Sequence, residues 1–168
     1  DDFASMNEGA ATIIRELRTL LGDNSPIFPE TLPHLPLFNA DQLFHAHAQK
    51  IDFGSGKGVR YITQYSQSFV VVNNNDLLYT FQGLTDDGMY WVSVSLPISN
   101  PILPDDVDFP PPPEGYTDEG WFQNYDSYVN NVKDSLEEQA PSSFFPTIDS
   151  LDSLVRSITV SVKSMSSS

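Results

Sequence analysis

The chain has 168 residues and a mass of 18.7 kDa, the length of one domain with one sizeable core. Hydrophobic residues make up 39% and aromatics 12%, which excludes wholesale disorder, and no apolar run of about 18 residues offers a bilayer span. Eight basic against 23 acidic residues give a net charge of −15, so phosphate backbones and anionic membranes are poor partners, and the lack of cysteine removes disulfides and thiolate chemistry.

Residues 5–22 read as an amphipathic helix. Ser5 and Glu8 have the capping-box spacing, and Ile13, Ile14, Leu17, Leu20 and Leu21 form one stripe, with Gly22 placed for a left-handed C-cap. The proline-rich segment 23–40 excludes a helix or a central strand. Its interleaved Ile27, Phe28, Leu32, Leu35, Leu37 and Phe38 are too apolar for a free linker and predict an extended segment lying along the domain. From residue 43 the period changes to two. Phe44 to Phe53 reads as a strand, with Asn39 and Gln42 placed to cap a short helix before it, and 54–58 reads as a turn. Val59, Tyr61, Thr63 and Tyr65 alternate in a second strand, and Asn73 to Asp76 marks another turn.

Residues 77–98 are the best specified. Asp87-Gly88 is a two-residue hairpin signal, and it sets Phe81 opposite Val94, Tyr79 opposite Leu96 and Leu77 opposite Ile98 on one apolar face. The other face pairs Thr80 with Ser95, Gln82 with Ser93 and Leu84 with Trp91, a mainly polar surface expected to look toward water. Residues 97–117 form an acidic, proline-rich connector, and Pro110 to Pro113 favour polyproline II. A helix is predicted over 118–139, with Trp121, Tyr125, Tyr128, Val129, Val132 and Leu136 as its stripe. Thr147 can cap a third helix carrying Ile148, Leu151, Leu154 and Val155, before a closing strand over 157–163 and a disordered tail over 164–168. Strands grouped between helices mean a single α+β domain, 1–168, with a mainly antiparallel sheet and helices packed on it.

Motifs for chemistry are sparse. The glycine-rich stretch 54–58 fails both the phosphate-loop and the dinucleotide spacing, because Ile51 and Val59 stand where glycine is needed. No EF-hand loop, nucleophile elbow or zinc-protease motif is present, and no cofactor is implied. His45 and His47, two apart on a strand, would point to one side and could serve a metal if a third ligand approached, His34 being the one other histidine. Trp91, Tyr90, Trp121, Tyr125 and Tyr128 could line a sugar platform, with core packing as the competing use. The polar hairpin face, Thr80, Gln82, Ser93 and Ser95 edged by Trp91 and Leu84, is the candidate binding patch, and Trp91 is its expected hot spot.

The stretches Leu35 to Gln42, Gly58 to Tyr65, Tyr79 to Tyr90 and Leu151 to Ile158 resemble an uncharacterised family of exported bacterial proteins of the Chloroflexi type. The order of elements resembles, more distantly, the Mog1/PsbP/LpqN-like α/β/α sandwich. That resemblance implies extracytoplasmic binding or assembly factors, some of them lipoproteins. Acidity, 13 prolines, a serine-rich end and a first residue that is not methionine fit a secreted or surface-anchored chain that has lost an export segment. The expectation is a non-enzymatic accessory domain that binds a protein or small ligand and no nucleic acid. The alternative is a metal-dependent or hydrolytic enzyme using His45 and His47.

Overall fold

The computed structural model describes residues 8–105 and 117–161. In chain order these hold α1 (Glu8–Gly22), β1 (Asp41–Gln42), β2 (Ala46–Phe53), β3 (Gly56–Thr63), β4 (Tyr65–Ser66), β5 (Leu78–Thr85), β6 (Trp91–Pro97), α2 (Asp118–Gln123), α3 (Tyr125–Glu137), a 3₁₀ turn (Pro141–Ser143) and α4 (Ile148–Arg156). The fold is α+β. Four antiparallel strands run in the order β2-β3-β5-β6, and β1 pairs with β4 in a small separate ladder. The expected Ser5 cap, the four-proline run and the tail fall outside the described residues.

The sheet is the middle of three layers, and strand alternation decides which side chains meet which layer. Ile51, Phe53, Ile62, Tyr79 and Phe81 face one way, into a core completed by Trp121, Tyr125, Tyr128 and Leu136 of α2 and α3 and by Ile148, Leu151 and Val155 of α4. Val59, Tyr61 and Leu84 face the other way, against Leu17, Leu20 and Leu21 of α1 and Leu32 of the proline-rich segment. The β5–β6 register matches the sequence reading: Phe81 opposes Val94, Tyr79 opposes Leu96 and Leu84 opposes Trp91. An alternating hairpin has one register that sorts both strands, so the sequence suffices there.

Several local expectations are corrected. The tip loop spans four residues, 86–89, because Thr85 N donates to Tyr90 O at 3.0 Å. The Asp87 carboxylate accepts from Thr85 Oγ1 at 2.5 Å and Met89 N at 2.9 Å, which closes the wider loop without shifting the register. Gly56 and Gly58 belong to β3 rather than to a turn. Gly58 faces Gly83, and a Cβ on Gly83 would lie 2.6 Å from the Phe81 ring, so the missing side chains make room for an aromatic ring. Residues 41–42 pair with 65–66 instead of opening a helix. Gly22 is the last residue of α1 and lacks positive φ, so no left-handed cap forms. The single helix expected over 118–139 is divided at Asn124, where φ is −117° and Asn124 Nδ2 donates to Gly120 O at 2.8 Å, competing with the helical ladder. Residues 157–161 form no strand. Ser157 and Ile158 prolong the last turn of α4 by bonding back to Leu154 and Val155, and Val160 N then donates to Ser55 Oγ at 2.7 Å.

Candidate functional site

The binding patch expected on the second hairpin face is largely interior. Thr80 and Gln82 are fully buried, because the extended segment 23–40 and α1 lie on this face. Gln82 is the fastening. Its Oε1 accepts from Leu35 N at 3.0 Å and from Trp91 Nε1 at 2.8 Å, while its Nε2 donates to Ser93 Oγ at 2.9 Å. Leu32 N donates to Gln42 Oε1 at 2.8 Å, and Tyr61 Oη donates to Pro33 O at 3.3 Å. A proline-rich segment cannot satisfy its own polar backbone in a ladder, so side chains of the sheet do so. Thr80 Oγ1 is buried without a hydrogen-bond partner among the described residues. The apolar residues between the prolines were the signal that the face would be covered, since Leu32 and Leu35 must bury somewhere.

Three of the five predicted patch residues remain accessible. Trp91 is half-buried, and Ser93 and Ser95 are exposed, all on β6. β6 ends the sheet. Thr85 with Tyr90, and Ile98 with Leu77, are joined by backbone hydrogen bonds across the hairpin. Antiparallel alternation then turns the amides of Val92, Val94 and Leu96 toward β5 and those of Trp91, Ser93 and Ser95 outward. The strand Trp91–Pro97 carries no charged residue, and Pro97 stands at its end. Asp86 and Asp87 lie in the loop at one end of this edge, and Asp105, held by Asn74 Nδ2 at 3.2 Å, lies beyond the other.

The histidine pair does not share a direction. A register shift between Ala46 and Gln49 puts His47 at φ +52°, which breaks the strand alternation on which the metal reading depended. His45 Nε2 donates to Pro29 O at 2.9 Å, and His47 Nε2 donates to Leu136 O at 2.8 Å. Burial lowers the pKa of His45, and likewise that of His34, whose Nδ1 donates to Pro36 O at 3.0 Å. No group of three histidine, aspartate or glutamate side chains able to hold a metal occurs among the described residues.

The aromatics of the second helical region are also structural. Tyr125 Oη donates to Val70 O at 3.0 Å, Tyr128 Oη accepts from Val72 N at 3.0 Å, and Trp121 packs edge-on against both rings. They anchor segment 69–72, so core packing, weighed against a sugar platform in the sequence, is the use these three aromatics have. Sequence reasoning missed the main buried polar cluster. Arg60 and Asp152 form a bidentate pair, with Nε to Oδ1 at 2.9 Å and Nη2 to Oδ2 at 3.0 Å. Arg60 also donates to His47 O and, at 2.7 Å, to Gln49 Oε1, and Tyr79 Oη donates to Asp152 Oδ1 at 2.8 Å. Burial, with the Asp152 carboxylate beside it, pushes the Tyr79 hydroxyl far above its usual pKa. Arg60, Asp152 and Tyr79 bond one another and neighbouring acceptors, so this cluster clamps α4 to the sheet.

No helix among the described residues is long and apolar enough to cross a membrane. Comparison with protein-family models, with curated proteins and with solved structures finds no match to this chain.

Proposed function

We propose that this chain is a non-enzymatic accessory domain of an exported or surface-displayed protein, and that it binds a partner by adding an extended, basic segment to the open edge of β6. The observation that carries this reading is the edge itself: seven residues without a charge, three of them presenting amides outward. Exposed edges invite pairing, and proteins that must avoid it place lysines, bulges or covers there. Trp91–Leu96 carries no lysine and no bulge, and among the described residues no strand pairs with its outer side. Main-chain bonds would supply affinity and half-buried Trp91 an aromatic anchor. The chemistry of the partner follows from charge, since the domain carries −15 and acidic residues flank both ends of the strand. The enzyme reading gains no support from the histidines, each of which spends a ring nitrogen on a separate carbonyl.

Peptides selected from an unbiased displayed library against the whole chain test the proposal. Selected peptides should be basic, and their binding should slow hydrogen exchange at the amides of Trp91, Ser93 and Ser95. Ser95→Pro removes only an outward donor, so it should keep the melting temperature and weaken peptide binding by about tenfold or more. Unchanged exchange along β6 with peptide bound, full binding by Ser95→Pro, or no selected peptide would refute it.

A further inference from the structure

A second surface stands apart from the β6 edge reading and does not depend on it. Near its end the proline-rich segment carries Phe38, whose ring stacks on the buried imidazole of His34 (centroids 4.7 Å apart, planes 26° apart) and leans on Tyr65 at 4.9 Å. His34 also meets Tyr65 edge-on at 5.1 Å. Tyr65 is held through its hydroxyl, which accepts from Gln42 Nε2 at 3.1 Å. The platform is therefore fixed from behind, while Phe38 leaves 46% of its surface to solvent. It floors an open groove of about 410 Å³ rimmed by Asn39, Gln67, Asn75 and Asp76. The rim is made of side-chain amides and one carboxylate. Asp76 accepts only single bonds, from Asn73 Nδ2 at 3.1 Å on Oδ2 and from Asn75 Nδ2 at 3.4 Å on Oδ1, so both oxygens retain acceptor capacity.

We infer that this groove, with Phe38 and Tyr65 as its floor, binds the rings of a neutral oligosaccharide. The Phe38 ring, backed by His34 and inclined 58° to Tyr65, offers one preformed aromatic face with polar side chains around it, which suits a ligand that has an apolar ring face and equatorial hydroxyls. Gln67 Nε2 donates to Asn39 O and Asn75 Nδ2 to Asp76, and beyond these bonds each amide has a second N–H and an oxygen, which with the carboxylate make the set of donors and acceptors that a polyol needs. The Asp76 carboxylate and the net charge of −15 select against acidic sugars. The volume is that of a small-molecule site, within the usual range of about 300–1,000 Å³. The sequence offered other aromatics for a sugar platform, with core packing as their competing use. The chain instead assembles one from His34, Phe38 and Tyr65, which only the folding of the extended segment onto β4 brings together.

The probes are soluble β1,4-linked tetramers of glucose, mannose and N-acetylglucosamine, titrated into the whole chain by calorimetry and by amide chemical shifts. At least one should bind with Kd near about 1 mM or tighter and shift the amides of Asn39, Gln67, Asn75 and Asp76. Phe38→Ala, which gives up ring contacts with His34 and Tyr65, should lower the melting temperature by no more than a few degrees and weaken that binding by about tenfold, while Phe38→Tyr keeps both. Gln67→Ala should weaken it several-fold. No binding by any tetramer up to about 10 mM, unchanged affinity in Phe38→Ala, or shifts confined to another surface overturns the inference.

Discussion

Truncating Asp152 to alanine should be among the most damaging single changes that leave the apolar cores untouched. Asp152 and Arg60 lie below a tenth exposed and share two charge-assisted hydrogen bonds, and Tyr79 Oη donates a third bond to the same carboxylate. Removing the carboxylate leaves a guanidinium in the interior without its counter-charge, which costs about 3–5 kcal/mol. Arg60 keeps Gln49 Oε1 and His47 O as acceptors, which argues for the lower half of that range. The stranded Tyr79 hydroxyl, fully buried, adds about 1 kcal/mol. A total near 4 kcal/mol corresponds to a fall in Tm of roughly 10 °C for a domain of this size. Urea unfolding followed by tryptophan fluorescence measures it, since Trp121 is buried in the core this clamp closes. The double variant Arg60→Met with Asp152→Leu should recover most of the loss, because two apolar groups replace two charges that needed each other. A cost below about 1 kcal/mol for Asp152→Ala, or a double variant whose cost equals the sum of the two single ones, would refute the reasoning.

Thr80→Val replaces a buried hydroxyl that has no partner with a methyl of the same shape, and should stabilise the domain by roughly 1 kcal/mol in the same denaturation assay. Gln82→Ala removes the acceptor shared by Leu35 N and Trp91 Nε1; it should cost about 2–3 kcal/mol and speed limited proteolysis between residues 23 and 40. His34 and His45 have folded-state pKa values lowered by burial, so near and below pH 6.5 the unfolded chain binds more protons than the folded one. Stability from these two groups is complete above about pH 6.5 and falls as pH drops below it, and His45→Gln should flatten that slope in urea midpoints measured between about pH 7 and 5. At the alkaline end the sign reverses: Tyr61 and Tyr79 have raised values, so their contribution is whole below about pH 10 and is lost as pH climbs past it.

What the sequence determined by itself rested on local periodicity, although periodicity alone did not suffice everywhere, since the alternating residues 157–161 form no strand. The α1 stripe, the β5–β6 register, the Thr147 cap (Ser150 N to Thr147 Oγ1, 3.3 Å) and the buried face of α2 and α3 follow from spacings of two or of three and four, which any one segment displays alone. Tertiary structure decided which faces stay open. Gln82 and Ser93 lie side by side in the hairpin, yet one is buried and the other exposed, because the proline-rich segment crosses β5 and stops short of the edge. A polar face reads the same whether water or a distant carbonyl satisfies it, so Gln82 carried no mark of its contact with Leu35, 47 residues away. Asp152 on α4 lies 92 residues from Arg60, and Leu154, which shares the helical spacing, is half exposed in its place. The regular alternation expected through the histidine pair is interrupted by the backbone: one extra residue in β2 turns His47 to positive φ, and a bulge leaves no periodic trace in so short a strand. The aromatic floor of Phe38, His34 and Tyr65 joins two segments that meet only when the chain folds back, so its geometry belongs to the fold and not to either stretch of sequence.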